Sequence, residues 1–492
     1  MTDPLSTLDL PARPEGVLEL DCGPSRVPPE QLFPLLAGGP HAGLLLSGGC
    51  HPLSRFSFIG LDPFLVLTSR GRQIMLELPP EGRTGKVEGD PFEILRSVLD
   101  LCRLREAPAP GAPPFRAGGI GYLSYELGRH IERLPATTLD DLELPELYFA
   151  FYRTILCHDR ESSSYKLFCL QQPGRPDALQ AQAPAWRGRI SRLLESAARK
   201  RGRYRRSDLA PDLQSDFTKL DYLAAVRRAL DYIREGDIYQ VNLSQRFRGR
   251  YSGDSYGLFL KLFEINPAPF FAYLDPGPFQ VICSSPERFF KVEAGRVETR
   301  PIKGTLPRGS TADQDARYRQ ELLRSAKNLA ELAMITDLLR NDLGRVCAYG
   351  SVRVEDFPRL EAYTNVFHLV SIVSGTLAPG RNGIDLLRAA FPGGSITGCP
   401  KIRSMEIIDE LEPTARSVYT GAIGYVGFDG SMDLNVAIRT LIRKGGEIFY
   451  QVGGGIVFDS DPESEYEETL HKAASIRDAV LATAPGRRRD NP

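Results

Sequence analysis

Glu465, Glu468 and Lys472 stand at i, i+3 and i+7, so a helix would carry them on one face. Two carboxylates and an amine in a stripe serve either as a solvated salt-bridge face or as a site for a cation and an anionic ligand. Immediately upstream, Gly453, Gly454 and Gly455 follow an apolar strand. Such a run either lets a ligand carboxylate or phosphate meet backbone N–H groups in an anion nest, or makes a tight loop. A further carboxylate, Glu331, lies in the helical stretch 328–341. Hard divalent cations such as Mg²⁺ bind through one or two carboxylates plus substrate oxygens, and Glu331 and Glu468 would supply those carboxylates. Lys303, between Pro301-Ile302 and Gly304-Thr305, is out of place as a merely solubilising lysine. An ordinary lysine, with a pKa of about 10.4, is almost wholly protonated at pH 7. A nucleophilic one needs desolvation or a nearby cation to free its lone pair.

The elements that must position these groups follow from periodicity. Ser460-Asp461-Pro462-Glu463 reads as a helix start for 462–482. Helical spacing also predicts 90–102, 217–235 and one long helix over 314–341. Strands are predicted at 43–47, 56–59, 64–68, 72–77 and 147–157, then at 238–247, 270–274, 280–284, 289–293, 366–376, 421–428, 432–442 and 447–452. Without βαβα alternation this pattern favours α+β. The expected organisation is an N-terminal region 1–170, a linker-like segment 171–215, a catalytic region 216–482 and a tail 483–492. The Arg-rich stretch 199–206 is read as a solvated helix end and linker.

The chain has 492 residues, with 61 Lys+Arg balanced by 62 Asp+Glu, so it lacks the basic surplus of a nucleic-acid binder. No apolar run reaches the roughly 20 residues needed to span a bilayer, and the N-terminus lacks a secretory pattern. Eight cysteines without a C-x-x-C pair read as buried, reduced thiols in a cytoplasmic protein.

Several long segments together resemble the chorismate-utilising enzymes: 236–247 (GDIYQVNLSQRF), 301–304 (PIKG), 337–345 (DLLRNDLGR), 398–410 (GCPKIRSMEIIDE) and 453–472. The resemblance is strong over 216–476 and weaker before that, through 116–128 (RAGGIGYLSYELG). It implies a large two-layered sandwich of mostly antiparallel β-sheets flanked by helices, with chorismate as substrate and Mg²⁺ as cofactor. Two positions distinguish the branches. Where isochorismate-forming members carry a water-activating lysine, this chain has Gln240, which cannot act as a base. Where anthranilate-forming members typically carry alanine, it has Lys303. The PIKGT form resembles the branch that makes 4-amino-4-deoxychorismate, with Lys303 adding covalently to C2 of chorismate and ammonia then entering at C4.

The resemblance further implies Glu331 and Glu468 as Mg²⁺ ligands, with Glu465 beside them. Tyr419 and Arg439 would contact substrate carboxylate, helped by Lys472, Ser395 and the backbone of Gly453, Gly454 and Gly455. His368 would sit near the departing hydroxyl. Lys401, Asp337, Asn341 and Asp342 either join the site or brace loops and helix ends. Asn328 and Leu332 depart from the family pattern and leave the surroundings of the metal open. No glutaminase segment is recognisable, so ammonia would come from solution or from a separate glutamine amidotransferase subunit, with a downstream lyase releasing 4-aminobenzoate for folate synthesis. The alternatives are an anthranilate-forming enzyme and, in a different class, a non-catalytic scaffold subunit for an amidotransferase.

Overall fold

The computed structural model describes residues 13–104, 111–171, 188–190, 192–193 and 212–484. Most of the linker-like segment, the Arg-rich stretch 199–206 and all but two residues of the 483–492 tail lie outside the described residues.

Two long strands, Phe56–Arg70 and Leu147–Asp159, pair along most of their length and belong to two sheets at once. The first half of Phe56–Arg70 pairs with Ala42–Leu46, which leads through Phe270–Asp275, Phe279–Ser285, Thr440–Lys444 and Glu447–Ile456 to Gln240–Arg250. The first half of Leu147–Asp159 pairs with Gly118–Leu123, which leads through Ala422–Gly427, Met432–Val436, Arg288–Glu293 and Arg296–Arg300 to Val366–Thr376. All of these pairings are antiparallel.

The two sheets face each other across one core, and side-chain alternation shows how. In Phe279–Ser285, Phe279, Val281 and Cys283 join Ile120, Tyr122, Ile423 and Tyr425 of the opposite sheet. The intervening Ile282 points outward into a core with helices Ser255–Ile265 and Pro462–Thr483. Helices Pro91–Leu101, Ala326–Gly344 and Gly383–Ala390 cover the outer face of the other sheet. Strands covered on both faces become near-continuous apolar runs. The result is a two-layered, mostly antiparallel sandwich flanked by helices, as expected. Strands from before residue 171 and after residue 212 share both sheets.

Four expectations change, the first being that the strands at 56–59 and 64–68 are one strand, Phe56–Arg70. The helix over 314–341 is two helices, Ala312–Arg324 and Ala326–Gly344, because Ser325 is extended between them and its hydroxyl caps the Asn328 N–H. The strand over 432–442 is broken after Val436, with Arg439 in the left-handed region at φ 50°. The glycine run is not a loop. It lies within Glu447–Ile456, where Gly453, Gly454 and Gly455 pair with Ser244, Leu243 and Asn242.

Five of the eight cysteines are buried and Cys50 is exposed. No helix among the described residues is long and apolar enough to cross a membrane.

Glu126, in the turn after strand Gly118–Leu123, is buried and accepts from the Ser417 N–H at 3.2 Å. Burial pushes its carboxyl up to about 7 despite the opposing Arg129 and Ser417. Because the folded state favours the protonated acid, its contribution to stability is full below an ordinary carboxyl pKa and is lost as pH rises through 7. Glu126→Gln is therefore expected to melt above wild type at about pH 8, by on the order of 1–3 kcal/mol, with the gap closing near pH 5. Thermal melts at the two pH values check this, and an equal gap at both contradicts it.

Candidate active site

A cavity of about 610 Å³ opens between the ends of both sheets and helices Ala326–Gly344 and Pro462–Thr483. Its lining includes Lys303, Glu331, His368, Ser395, Tyr419, Arg439, Gly453, Gly455, Glu465, Glu468 and Lys472.

Lys303 is carried by Ile302–Pro307, which pairs with Val366–Thr376. Lys303 lies opposite Leu369 and Thr305 opposite His368, so Gly304 is an extra, bulged residue. Its φ of 73° suits glycine, and a Cβ there would lie 2.9 Å from Asn328 Cγ. The bulge sets the Thr305 hydroxyl 2.8 Å from His368 Nδ1. His368 Nε2 has no partner among the described residues. Burial, and then Arg439, push this imidazole down to about 3. At neutral pH it is therefore an uncharged group with one nitrogen left for a ligand.

The Lys303 ammonium donates to the Ser395 carbonyl at 3.1 Å. Desolvation lowers its pKa, helped by Lys472 and opposed by Glu331, Glu287 and Glu468. This is the direction a nucleophilic amine needs.

Glu287 was not singled out from sequence. It follows the fully buried strand Phe279–Ser285, accepts the Ser395 hydroxyl at 2.7 Å, and is pushed by burial up to about 7. A carboxyl near neutrality beside a candidate nucleophile is suited to carry a proton. A carboxylate just past the end of an apolar strand was the only signal, and by itself it is a weak one.

The Ser325 turn points Lys327, Asn328 and Glu331 at the cavity, whereas Leu332 packs with Leu322, Phe367 and Leu369. At the other wall, Asp461 caps Pro462–Thr483 by accepting from Ser464 N–H. Ser460, in the same turn, donates to Glu465 at 2.6 Å. Burial raises the Glu465 pKa, with Ser460 opposing. Glu468 lies at the open side, where desolvation is outweighed by the Lys472 ammonium at 2.7 Å and its pKa falls. The glycines make room for this wall. A Cβ on Gly454 would come 3.1 Å from Glu465 Oε2, 3.7 Å from Glu468 Oε1 and 3.9 Å from Lys472 Nζ. Lys472 also donates to the Gly453 carbonyl at 2.9 Å.

Among the described residues, no three His, Cys, Asp or Glu side chains converge into a ready-made metal cage. Carboxylates facing an open cavity beside a glycine cradle nevertheless fit Mg²⁺, which takes few protein ligands and completes its shell with water and substrate oxygens.

Arg439, in the break between two strands, faces the cavity with no ion pair among the described residues. An unpaired guanidinium suits a ligand carboxylate, which it can grip bidentately. Tyr419 lines the cavity together with Asn242. Behind them the buried Arg416 donates to Glu412 at 2.6 and 2.9 Å, to the Ile396 carbonyl at 3.0 Å and to the Asn242 carbonyl at 2.6 Å.

Not every candidate reaches the cavity. Gln240 is fully buried against the far side of Gly455 and does not line it. Lys401 braces helix ends, donating to buried Asp342 at 2.8 Å and to the Ala390 carbonyl at 2.6 Å. Asp337 pairs with Arg340 at the surface, and Asn341 is exposed.

Residues 57–478 match the chorismate binding enzyme family. The chain belongs to that family and is a chorismate-utilising enzyme. It is 41% identical to aminodeoxychorismate synthase component 1 of Escherichia coli (strain K12), over 91% of this chain and 95% of that protein. It is 43% identical to anthranilate synthase component 1 of Thermus thermophilus, over 85% and 91%. Among solved structures, anthranilate synthase component I from Streptococcus pneumoniae superposes with a TM-score of 0.74 at 30% identity, covering 87% of this chain and 93% of that one.

Proposed function

We propose that this protein converts chorismate and ammonia into 4-amino-4-deoxychorismate, with Lys303 as covalent nucleophile. The observation that carries this reading is a lysine held in the cavity with a lowered pKa, where the anthranilate-forming branch typically has alanine. The 43% identity to an anthranilate synthase favours the second reading, anthranilate formation. Overall identity is similar for the two branches, so the choice rests on Lys303.

In the proposed reaction the uncharged Lys303 amine bonds to ring C2, both conjugated ring double bonds shift by one position, and the C4–O bond breaks. The hydroxyl leaves as water with a proton from Glu287, whose raised pKa keeps that proton available near neutrality. Ammonia then bonds to C4, both ring double bonds shift back, and the C2–N bond to Lys303 breaks. The lysine nitrogen departs as an amine, and the proton lost by the incoming nitrogen returns to the Glu287 carboxylate. The covalent step directs nitrogen to C4 and splits one awkward substitution into two allylic ones. Arg439 and Tyr419 orient the substrate, and His368 Nε2 faces the departing oxygen. Glu331 and Glu468, with Glu465 alongside, would hold Mg²⁺. When bound, the ion supplies Lewis-acid stabilisation of charge on the ring carboxylate.

Ammonia is proposed to come from a glutamine amidotransferase subunit, as "component 1" in the relatives' names suggests. A downstream lyase would complete 4-aminobenzoate synthesis, in the cytoplasm.

Incubation of the pure chain with chorismate, Mg²⁺ and ammonium is expected to yield 4-amino-4-deoxychorismate, identified by chromatography and by conversion to 4-aminobenzoate with added lyase. Anthranilate as the product would establish the second reading instead. Glu468→Gln is expected to raise the Mg²⁺ concentration for half-maximal turnover by roughly tenfold or more, because one anionic ligand is lost. A wild-type magnesium titration would refute that assignment.

A further inference from the structure

Ser395 lies in the short turn Gly394–Ile396 and is buried, yet it borders the cavity. Its two oxygens go to different partners. The carbonyl accepts from Lys303 Nζ at 3.1 Å, and the hydroxyl donates to Glu287 Oε1 at 2.7 Å. Lys303 and Glu287 feel each other's charge, but each makes its hydrogen bond to Ser395 rather than to the other. One residue therefore stands between the candidate nucleophile and the candidate acid.

Both supports are braced. Gly394 packs on Leu338 of helix Ala326–Gly344, where an added Cβ would come 2.3 Å from Cδ2. The Thr397 hydroxyl donates to the Gly393 carbonyl at 3.0 Å, and buried Arg416 donates to the Ile396 carbonyl at 3.0 Å. Glu287 donates its N–H to the Ser285 hydroxyl at 3.2 Å, and its carbonyl accepts from the Val436 N–H at 3.0 Å.

An amine and a carboxylic acid that share one proton can hold it in two ways. The proposed chemistry needs it on Glu287, which leaves the amine its lone pair and the acid a proton for the departing hydroxyl. Direct contact would put it on the lysine instead, in an ion pair stabilised by its own Coulomb attraction. Separation weakens that attraction, and burial then favours the two uncharged forms. The directions agree: burial pushes Glu287 up to about 7 and Lys303 down from its ordinary value. Lys303 is also faced by Glu331 from Ala326–Gly344 and by Glu468 and Lys472 from Pro462–Thr483. Glu287 is also faced by Tyr363, from the turn before Val366–Thr376.

We infer that Ser395 is a positioning residue that keeps Lys303 and Glu287 out of direct contact, so that the shared proton stays on the acid. The inference rests on the covalent role proposed for Lys303. It assigns the Ser395 hydroxyl to the reacting side chains rather than to a substrate carboxylate, the role the family resemblance implies for it.

Ser395→Ala removes the hydroxyl and frees Glu287 to reach the lysine. With Mg²⁺ held constant, trace acetylation across a pH series, followed by peptide mass mapping, reads the Lys303 midpoint without turnover. That midpoint is expected to rise by about one pH unit in Ser395→Ala. It should return to wild type or below in Ser395→Ala/Glu287→Gln, where no carboxylate remains to pair with the lysine. In steady-state assays Ser395→Ala should lower kcat roughly tenfold at about pH 7.5, with the chorismate KM held within about twofold. Ser395→Thr, which keeps the hydroxyl, should restore both the midpoint and kcat. A raised chorismate KM with an unmoved Lys303 midpoint would make Ser395 a substrate contact and overturn the inference. A midpoint equally raised in the double variant would also overturn it, because Glu287 would not be the lysine's partner. The expected midpoints in a protein that makes anthranilate would sink the amination reading and leave the separation standing. An unmoved midpoint in one that makes 4-amino-4-deoxychorismate would do the reverse.

Discussion

Lys303→Ala is expected to lose 4-amino-4-deoxychorismate formation by on the order of 10³-fold or more, as removal of a covalent nucleophile does. The fold should survive, because the Lys303 side chain meets the protein through a single hydrogen bond to the Ser395 carbonyl. Alanine also opens space at C2, where ammonia can add directly, so residual turnover should shift toward anthranilate. Chromatographic product analysis of the variant checks both statements. An unchanged 4-amino product would remove Lys303 from the chemistry.

The second large effect concerns stability. Glu412 and Arg416 form a buried pair that also binds the Ser244 N–H and hydroxyl, both at 2.8 Å, and the Ile396 and Asn242 carbonyls. It therefore ties together the strand carrying Asn242, the turn carrying Ser395 and the approach to Tyr419. Glu412→Gln leaves the Arg416 guanidinium buried without its counter-ion, which is expected to cost about 3–5 kcal/mol. Replacing both residues by apolar ones of similar volume should cost much less than the single changes predict, because no unpaired charge remains. Denaturant midpoints for the two single variants and the double check this. Additive losses would mean that the pair is not coupled.

How far the sequence could be read depended on what each residue type reveals about its backbone. The helix bearing Glu465, Glu468 and Lys472 was legible because Asp461 and Pro462 mark its start and the spacing marks its face. Strand Val366–Thr376 was legible because its apolar run ends cleanly on both sides. Other features left no local mark. Helical periodicity continues across Ser325, so the turn that aims Glu331 was invisible. Gly453, Gly454 and Gly455 look like a loop, but they are absent side chains within a strand, where a Cβ on Gly453 would come 2.5 Å from the Leu243 carbonyl oxygen. Arg439 adopts a left-handed backbone that its residue type disfavours, so the break in 432–442 could not be foreseen. Glu287 and the buried position of Gln240 depend on long-range packing, which only the assembled sandwich reveals.

The central claim is that Lys303 bonds to the substrate, and peptide mass mapping tests it most directly. Enzyme quenched in acid while aminating chorismate, with Mg²⁺ and limiting ammonium, should contain a Lys303 peptide heavier by chorismate less one water. A Lys303 peptide that stays unmodified while 4-amino-4-deoxychorismate accumulates would contradict the account.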